Sequence, residues 1–376
     1  MRIAVFTDSF LPSMNGIVNS IVNSSRRLVK RGHKIVIFTS RIKESKEVFL
    51  HKNIRIEYLK PLNLIDYPDF KVAMPHPRII KKLIKFRPHI MHSHLPSLLG
   101  WEAVICSKIF DIPLMGNFHG IPSDFIEHFC LPKKINRSDI MKKLSWKYVQ
   151  AYYNRCDIII TPSIAMKKEM IAHGIKKPIK ILSNGVDLKK FYPKKIKKNG
   201  KTILHVGRIS YEKNIDVLIK AFKIALKKHP NSKLLIAGKG PDIEKLKKEA
   251  GNYLNRSIRF LGPVPHEKLV EVYSRADIFA TASTIESEGL VILEAMACSL
   301  PIIGVDALAI PYVVKHGKNG FIATPGNAED IAKYILKLIE NSSLRRKMGA
   351  ESLKMIKKYS LDTVINELEE AYYGLK

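Results

Sequence analysis

The sequence predicts an α/β protein built as two doubly wound domains. Three observations carry that prediction. Short runs of branched apolar residues alternate with stretches in which apolar residues recur at helical spacing. The alternation stops at a basic, aperiodic stretch holding Pro193 and Gly200, and then starts again. The 376 residues suit two domains at roughly 100–200 residues each.

Each element follows from its own pattern. Residues 3–6 form an apolar run expected as a buried strand, and the polar loop 7–16 follows. Ile17, Ile21, Val22, Leu28 and Val29 then mark a helix ending at Arg31 and Gly32, and residues 34–39 (KIVIFT) give the next strand. Strand, glycine-bearing loop, helix and strand make a βαβ unit. Residues 54–59, 89–92, 113–118, 158–161 and 180–182 are further strands, with a helix at 101–110. Residues 191–200 are read as an interdomain linker. Beyond them come a strand (201–206), a loop (207–214), a helix (215–228), a strand (233–237) and a turn (238–241). Strands at 258–261, 278–280 and 301–305, a helix at 289–298 and a helical tail from Asn327 complete the second set. Two such sets imply one domain at residues 1–190, a second at 201–360, and a cleft between them.

Composition narrows the function classes. Hydrophobic residues make up 46%, enough for a buried core, so wholesale disorder is excluded. No run of about 18 apolar residues lacks a charge, so no membrane span is expected. The most apolar window, residues 289–305, holds Glu294. The opening MRIAVFTDSF has no long apolar signal core, which argues against secretion. Cys106, Cys130, Cys156 and Cys298 lie far apart, with neither a disulfide framework nor a zinc-site spacing. A cytosolic chain is expected. Its net charge is +30 and uneven: residues 1–200 carry 37 basic and 14 acidic side chains, residues 201–376 carry 27 and 20. A basic half suits nucleic acid, an anionic membrane or an acidic substrate; the bland alternative is a solvated Lys-rich surface.

Ligands of doubly wound sheets bind beyond the carboxyl ends of the strands. Four places qualify. Gly16 opens a helix whose free N–H groups suit a phosphate; the alternative is a plain helix entry after Asn15, since no glycine fingerprint supports a dinucleotide. Arg208 and Lys213 follow the strand-end Gly207, and a guanidinium fork with a point charge suits a diphosphate; a solvated loop competes. Glu286 and Glu294 flank a loop–helix junction a little over two turns apart, so both can face one groove. There a carboxylate can accept sugar hydroxyls and the N–H groups near Gly289 can hold phosphate oxygens, unless Glu286 is an ordinary capping acid. Glu294, on an apolar helix, needs a hydrogen-bond partner. Finally, His92, His94 and His119 follow strand ends. No Cys, Asp or Glu sits beside them at ligand spacing, so no metal is expected. His92 and His94 read as structural, and His119, between Phe118 and Gly120, as the functional candidate.

Taken in order, these residues resemble the retaining family-4 glycosyltransferases. The matching set is Arg208 with Lys213, Glu286 with Glu294, Ser183-Asn184-Gly185-Val186-Asp187, Gly238-Lys239-Gly240-Pro241, Ala276-Asp277-Ile278-Phe279 and Glu294-Ala295-Met296-Ala297. The likeness runs from residue 1 to about 360. The stretch from Phe6 to Val18, and Asp306-Ala307-Leu308-Ala309-Ile310-Pro311, are similar to the subgroup that glucosylates diacylglycerol. The resemblance implies the type-B glycosyltransferase architecture, two facing Rossmann-like domains with the donor held mainly by the second. It implies that residues 361–376 cross back to the first domain. It places Gly16 at the donor diphosphate, His119 near the sugar 6-hydroxyl, and Arg208 and Lys213 on the diphosphate. Glu286 and the N–H groups of Glu288, Gly289 and Leu290 would hold sugar and phosphate, Glu294 the ribose, and Val264 the base. Two positions depart from the family pattern: Asn15-Gly16 stands for a double glycine, and Glu288 for an aromatic.

The activity implied is a retaining hexosyl transfer that needs no cofactor or metal, in keeping with the lack of any D-x-D sequence. The expected donor is UDP-glucose and the expected acceptor a diacyl- or dialkylglycerol, met at the inner face of the cell membrane. A GDP-mannose-dependent mannosyltransferase acting on a lipid or glycan is the alternative. A nucleic-acid-binding protein would need basic residues interleaved with exposed aromatics or a reading helix, and the sequence shows no such module. An NAD-dependent oxidoreductase would need the missing glycine fingerprint. Residues 77–87 and 133–153 are basic and amphipathic and are expected to lie on an anionic leaflet; otherwise their apolar faces cover the sheet.

Overall fold

A computed structural model describes residues 1–13, 15–41, 48–67, 70–121, 139–196 and 200–375. The chain divides into two compact units, Met1–Asn184 with Val364–Lys376, and Gly185–Thr363.

The first unit runs β1 (Arg2–Thr7), α1 (Gly16–Lys30), β2 (Lys34–Ser40), β3 (Ile54–Leu59), β4 (Pro61–Tyr67), β5 (Phe70–Ala73), α2 (Arg78–Phe86), β6 (Ile90–Ser93), α3 (Leu98–Phe110), β7 (Leu114–Asn117), α4 (Asp139–Tyr153), β8 (Ile158–Thr161), α5 (Ile164–Ala172) and β9 (Ile179–Ile181). Its main sheet has the order β3-β2-β1-β6-β7-β8-β9, with every pair parallel. Helices cover a parallel sheet on both faces, so its central strands are near-continuously apolar, whereas the edge strand β3 alternates Ile54, Arg55, Ile56 and Glu57. Ile3, Ala4, Val5 and Phe6 of β1 are all buried. The antiparallel pair β4–β5 had no counterpart in the sequence reading.

The second unit contains β10 (Thr202–Val206), α6 (Ile215–Lys228), β11 (Lys233–Ala237), α7 (Ile243–Ala250), β12 (Ile258–Gly262), α8 (His266–Arg275), β13 (Ile278–Ala280), α9 (Leu290–Ala297), β14 (Ile302–Val305), α10 (Ile310–Val313), β15 (Gly320–Ala323), α11 (Ala328–Glu340) and α12 (Ser342–Ile356). Its sheet order is β12-β11-β10-β13-β14-β15, again all parallel. The sequence reading missed β15. Its first residue must be glycine, because a Cβ at Gly320 would lie 1.9 Å from the Ile302 carbonyl oxygen. The last helix, α13 (Leu361–Tyr373), falls in the first unit from Val364 onward. There Glu369 pairs with Arg31 (2.8 Å) and His33 (2.5 Å).

Of the stretch 191–200, expected as a linker, the described residues 191–196 and 200 fall inside the second unit. Phe191 is buried in its core, with its ring 5.3 Å from that of His266 and 6.0 Å from that of Tyr273. One aromatic anchor thus holds a stretch whose composition alone reads as a spacer. Residues 197–199 lie outside the described residues.

The two amphipathic stretches behave differently. In α2, Ile79 and Leu83 are buried and Lys82 pairs with Glu57 at 3.0 Å, so this helix chiefly covers its sheet. In α4, Trp146, Val149, Tyr152 and Tyr153 are buried, yet Ile140, Leu144 and Tyr148 remain exposed at i, i+4 and i+8. Lys133, Lys134 and Arg137 lie outside the described residues. On α3, Leu98, Ile105 and Ile109 are likewise exposed, and Trp101 of the same stripe donates its indole N–H to the Tyr148 hydroxyl at 3.0 Å. Among the described residues, no helix is long and apolar enough to cross a membrane.

Candidate active site

In the second unit the strand order reverses between β10 and β13, so the loops leaving their carboxyl ends are neighbours. The loop after β10 is fixed by backbone bonds. Gly207 N–H donates to Ala237 O (3.0 Å) and Ile209 N–H to Lys239 O (2.9 Å). Gly238 and Gly240 make that approach possible: a Cβ would lie 1.8 Å from Gly207 O at the first and 2.0 Å from Ile209 O at the second. Gly238-Lys239-Gly240-Pro241 is therefore a packing device for the loop that carries Arg208, which is exposed.

Asn214, in the left-handed region at φ 47, ends a 3-10 turn at Tyr211–Lys213. Its Nδ2 donates to Ala282 O (3.3 Å) and Thr284 Oγ1 (3.1 Å), and Thr284 N–H donates to Glu212 O (3.2 Å). These bonds tie the two loops together and set Lys213 against Glu286. Lys213 Nζ lies 2.7 Å from Glu286 Oε1 and 3.2 Å from Ile285 O, with the two side chains 17% and 14% exposed. At that burial a Coulomb attraction is weakened less by solvent than at an open surface. An ammonium has three donors, and these two partners account for two of them. Glu286 does not cap α9. The cap is Gly289, at φ 79, with no side-chain cap bond, so the capping-acid alternative falls.

Glu294 finds the partner its apolar helix demands. Its Oε2 accepts the Tyr273 hydroxyl of α8 at 2.8 Å. Burial pushes its carboxyl up to about 7, and the tyrosine bond only partly offsets that. The Glu288 side chain is only 3% exposed, and its charge adds to the burial that raises the Tyr359 hydroxyl. Val264 is half-buried and leans on the core of the unit. The sequence reading passed over His205, in the middle of β10. Its Nδ1–H donates to Ala280 O at 3.1 Å, while Nε2 is buried without a partner among the described residues. Burial lowers this imidazole to about 4. A histidine inside the apolar run Thr202–Val206 was the available signal.

In the first unit the order reverses between β1 and β6. Asn15 caps α1, accepting from Val18 N–H at 3.0 Å and donating to Ser9 Oγ at 2.9 Å. Gly16 follows it as the exposed first residue of the helix. Asp8, just past β1, is buried; its Oδ1 accepts Ala73 N–H at 2.5 Å, and burial raises its carboxyl to about 6. His92, His94 and His119 come together. The rings of His92 and His94 stack at 4.2 Å, those of His94 and His119 lie 5.3 Å apart, and His94 Nδ1 is 3.1 Å from His119 Nε2. Burial holds all three well below the ordinary imidazole range, His92 and His119 at about 3. Among the described residues, no group of three or more His, Cys, Asp or Glu could hold a metal ion.

Residues 14–190 match the family Glycosyltransferase Family 4, and residues 188–355 match Glycosyl transferases group 1. The chain is 28% identical over 397 residues to the alpha-monoglucosyldiacylglycerol synthase of Acholeplasma laidlawii, covering 100% of this chain and 97% of that one. It is 24% identical over 386 residues to a GDP-mannose-dependent alpha-mannosyltransferase of Corynebacterium glutamicum, covering 99% and 88%. The fold is similar to that of Anabaena HepE in complex with UDP-glucose, with a TM-score of 0.76 at 19% identity and 100% of both chains covered. Two parallel α/β units of this order are the type-B glycosyltransferase architecture, and with the two family matches running end to end, the chain belongs to the group 1 glycosyltransferases.

Proposed function

We propose that this enzyme moves glucose from UDP-glucose to a diacyl- or dialkylglycerol, with retention of configuration and without a metal ion. The observation that carries the reading is the Lys213–Glu286 pair, held at 2.7 Å where the second sheet reverses. It sets a cation for a diphosphate beside a carboxylate for sugar hydroxyls. The full-length likeness to a glucosyldiacylglycerol synthase supports the choice of sugar and acceptor.

The chemistry is leaving-group stabilisation. As the glycosyl–phosphate bond breaks, negative charge grows on the diphosphate. Arg208, Lys213 and the N–H groups at Glu288, Gly289 and Leu290 are the preorganised groups that meet it. Glu286 orients the sugar, Glu294 takes the ribose hydroxyls, and Val264 offers backbone to the base. From the first unit, Gly16 serves the diphosphate and His119 the sugar. The acceptor oxygen bonds to the anomeric carbon on the face the diphosphate leaves and passes its proton to the departing phosphate, so configuration is retained without an enzyme nucleophile.

The acceptor accounts for the surface. The exposed aliphatic stripes of α3 and α4 are flanked by Lys142, Lys143 and Lys147, a combination suited to the interface of an anionic leaflet. A mannosyltransferase reading is favoured by the likeness to the Corynebacterium enzyme. A panel of labelled UDP-glucose and GDP-mannose with total lipid extract decides between them. Glucose transferred to lipid from UDP-glucose is expected. Mannose transfer from GDP-mannose alone would replace the reading.

A further inference from the structure

His94 is the residue on which the first unit's histidines converge. It lies one position past β6, where the strand order reverses, and its N–H donates to Phe6 O of β1 at 3.0 Å. The backbone there is therefore fixed on both sides of the switch point. Its side chain is 3% exposed. One nitrogen, Nδ1, meets His119 Nε2 at 3.1 Å, and the two rings are within 15° of parallel. One face of its ring is covered by His92 at 4.2 Å, and a 2.7 Å hydrogen bond between His92 Nδ1 and the Tyr372 hydroxyl of α13 fixes His92 in turn.

We propose that His94 is a positioning residue for His119, fixing both the plane of its imidazole and its tautomer. This rests on the reading of His119 as the sugar-facing histidine. Two neutral imidazoles sharing one hydrogen bond hold one proton between them. If His94 Nδ1–H donates, His119 presents N–H at its own Nδ1. If His119 Nε2–H donates, it presents a lone pair there. The state of His94 therefore sets whether His119 offers the sugar a donor or an acceptor. Burial keeps both rings neutral at pH 7, which preserves this coupling.

The test is a double-mutant cycle on the full chain, with kcat and donor KM measured for His94→Leu, His119→Ala and both together. Misplacing a catalytic group by about 1 Å can cost roughly a hundredfold in rate. His94→Leu is expected to lower kcat by roughly ten- to a hundredfold with donor KM little changed, and to cost almost nothing once His119 is alanine. His94→Asn, whose amide nitrogen stands where Nδ1 was, is expected to recover most of the rate. If His94→Leu does not fold, His94→Gln replaces it, since its amide is one methylene out of place. An equal loss in both backgrounds, or no loss at all, would overturn the proposal. His119→Ala with the wild-type rate would overturn it together with the sugar-facing role of His119, whereas the donor assignment stands or falls separately on Lys213.

Discussion

Lys213 and Glu286 depend on each other before any donor arrives. Each is largely buried, and each would be left with an uncompensated charge if the other were removed. Lys213→Met is expected to lower stability by about 1–3 kcal/mol, and adding Glu286→Gln to restore much of it, read as paired shifts in Tm. Both variants should still lose transfer roughly a hundred- to thousandfold, because a charge-stabilising donor aimed at the transition state is gone. Recovery of turnover along with stability would remove Lys213 from the chemistry. Glu294 gives a second residue-scale expectation. Its carboxyl ionises near 7 in the folded chain against 4.5 as the ordinary value, so the native state holds a proton that the unfolded state has already lost. Its contribution to stability therefore falls as pH rises from about 4.5 to 7, by up to about 3 kcal/mol. Glu294→Gln should be more stable than the wild type at pH 8 and equal to it at pH 4, in matched thermal melts. The same variant should raise donor KM more than it lowers kcat. Both carboxylates were legible as candidates because acids at a loop–helix junction and on an apolar helix are conspicuous. Tyr273 was not, since nothing local in α8 announces that its hydroxyl reaches across to α9.

At the scale of elements, the glycines at 238 and 240 illustrate what a motif conceals. The sequence marks them as a turn. The reason for them lies about thirty residues upstream, in the carbonyls of Gly207 and Ile209 that a Cβ would strike. Gly238→Ala is expected to cost about 1–3 kcal/mol, because a backbone oxygen cannot move aside as a flexible side chain would. It should also cut kcat, since the displaced segment bears Arg208. A Tm and a rate unchanged from wild type would show that the loop is not held there. Long, strongly periodic elements such as α1, α6 and β2 were legible almost to the residue. The hairpin β4–β5 and β15 were not. They are short, and β15 owes its place to its neighbour β14 more than to its own four residues. The burial of Phe191 was not legible for a similar reason, since it depends on rings far along the chain.

At the scale of the whole molecule, the charge asymmetry and the exposed aliphatic stripes point the same way. Each Lys near an anionic leaflet is worth about 1 kcal/mol, so a few of them suffice for reversible docking. Ile105→Glu with Leu144→Glu, and separately Lys142→Glu with Lys143→Glu, are expected to abolish cosedimentation with anionic vesicles while leaving donor binding intact. Changing Lys81 in α2, a helix that chiefly covers its sheet, should matter less. Undiminished sedimentation of both double variants would move the acceptor away from the bilayer. The two-unit α/β plan was legible from alternation alone. Which helix faces remain uncovered was not, because amphipathicity shows that a face is apolar without showing what it packs against. Proton NMR of the lipid formed from UDP-glucose and diacylglycerol vesicles reads out the transfer itself. A glucosyl lipid whose anomeric proton shows the small coupling of the α configuration is predicted. A β-linked product, or UDP-glucose left unconsumed while another sugar nucleotide is used, would contradict it.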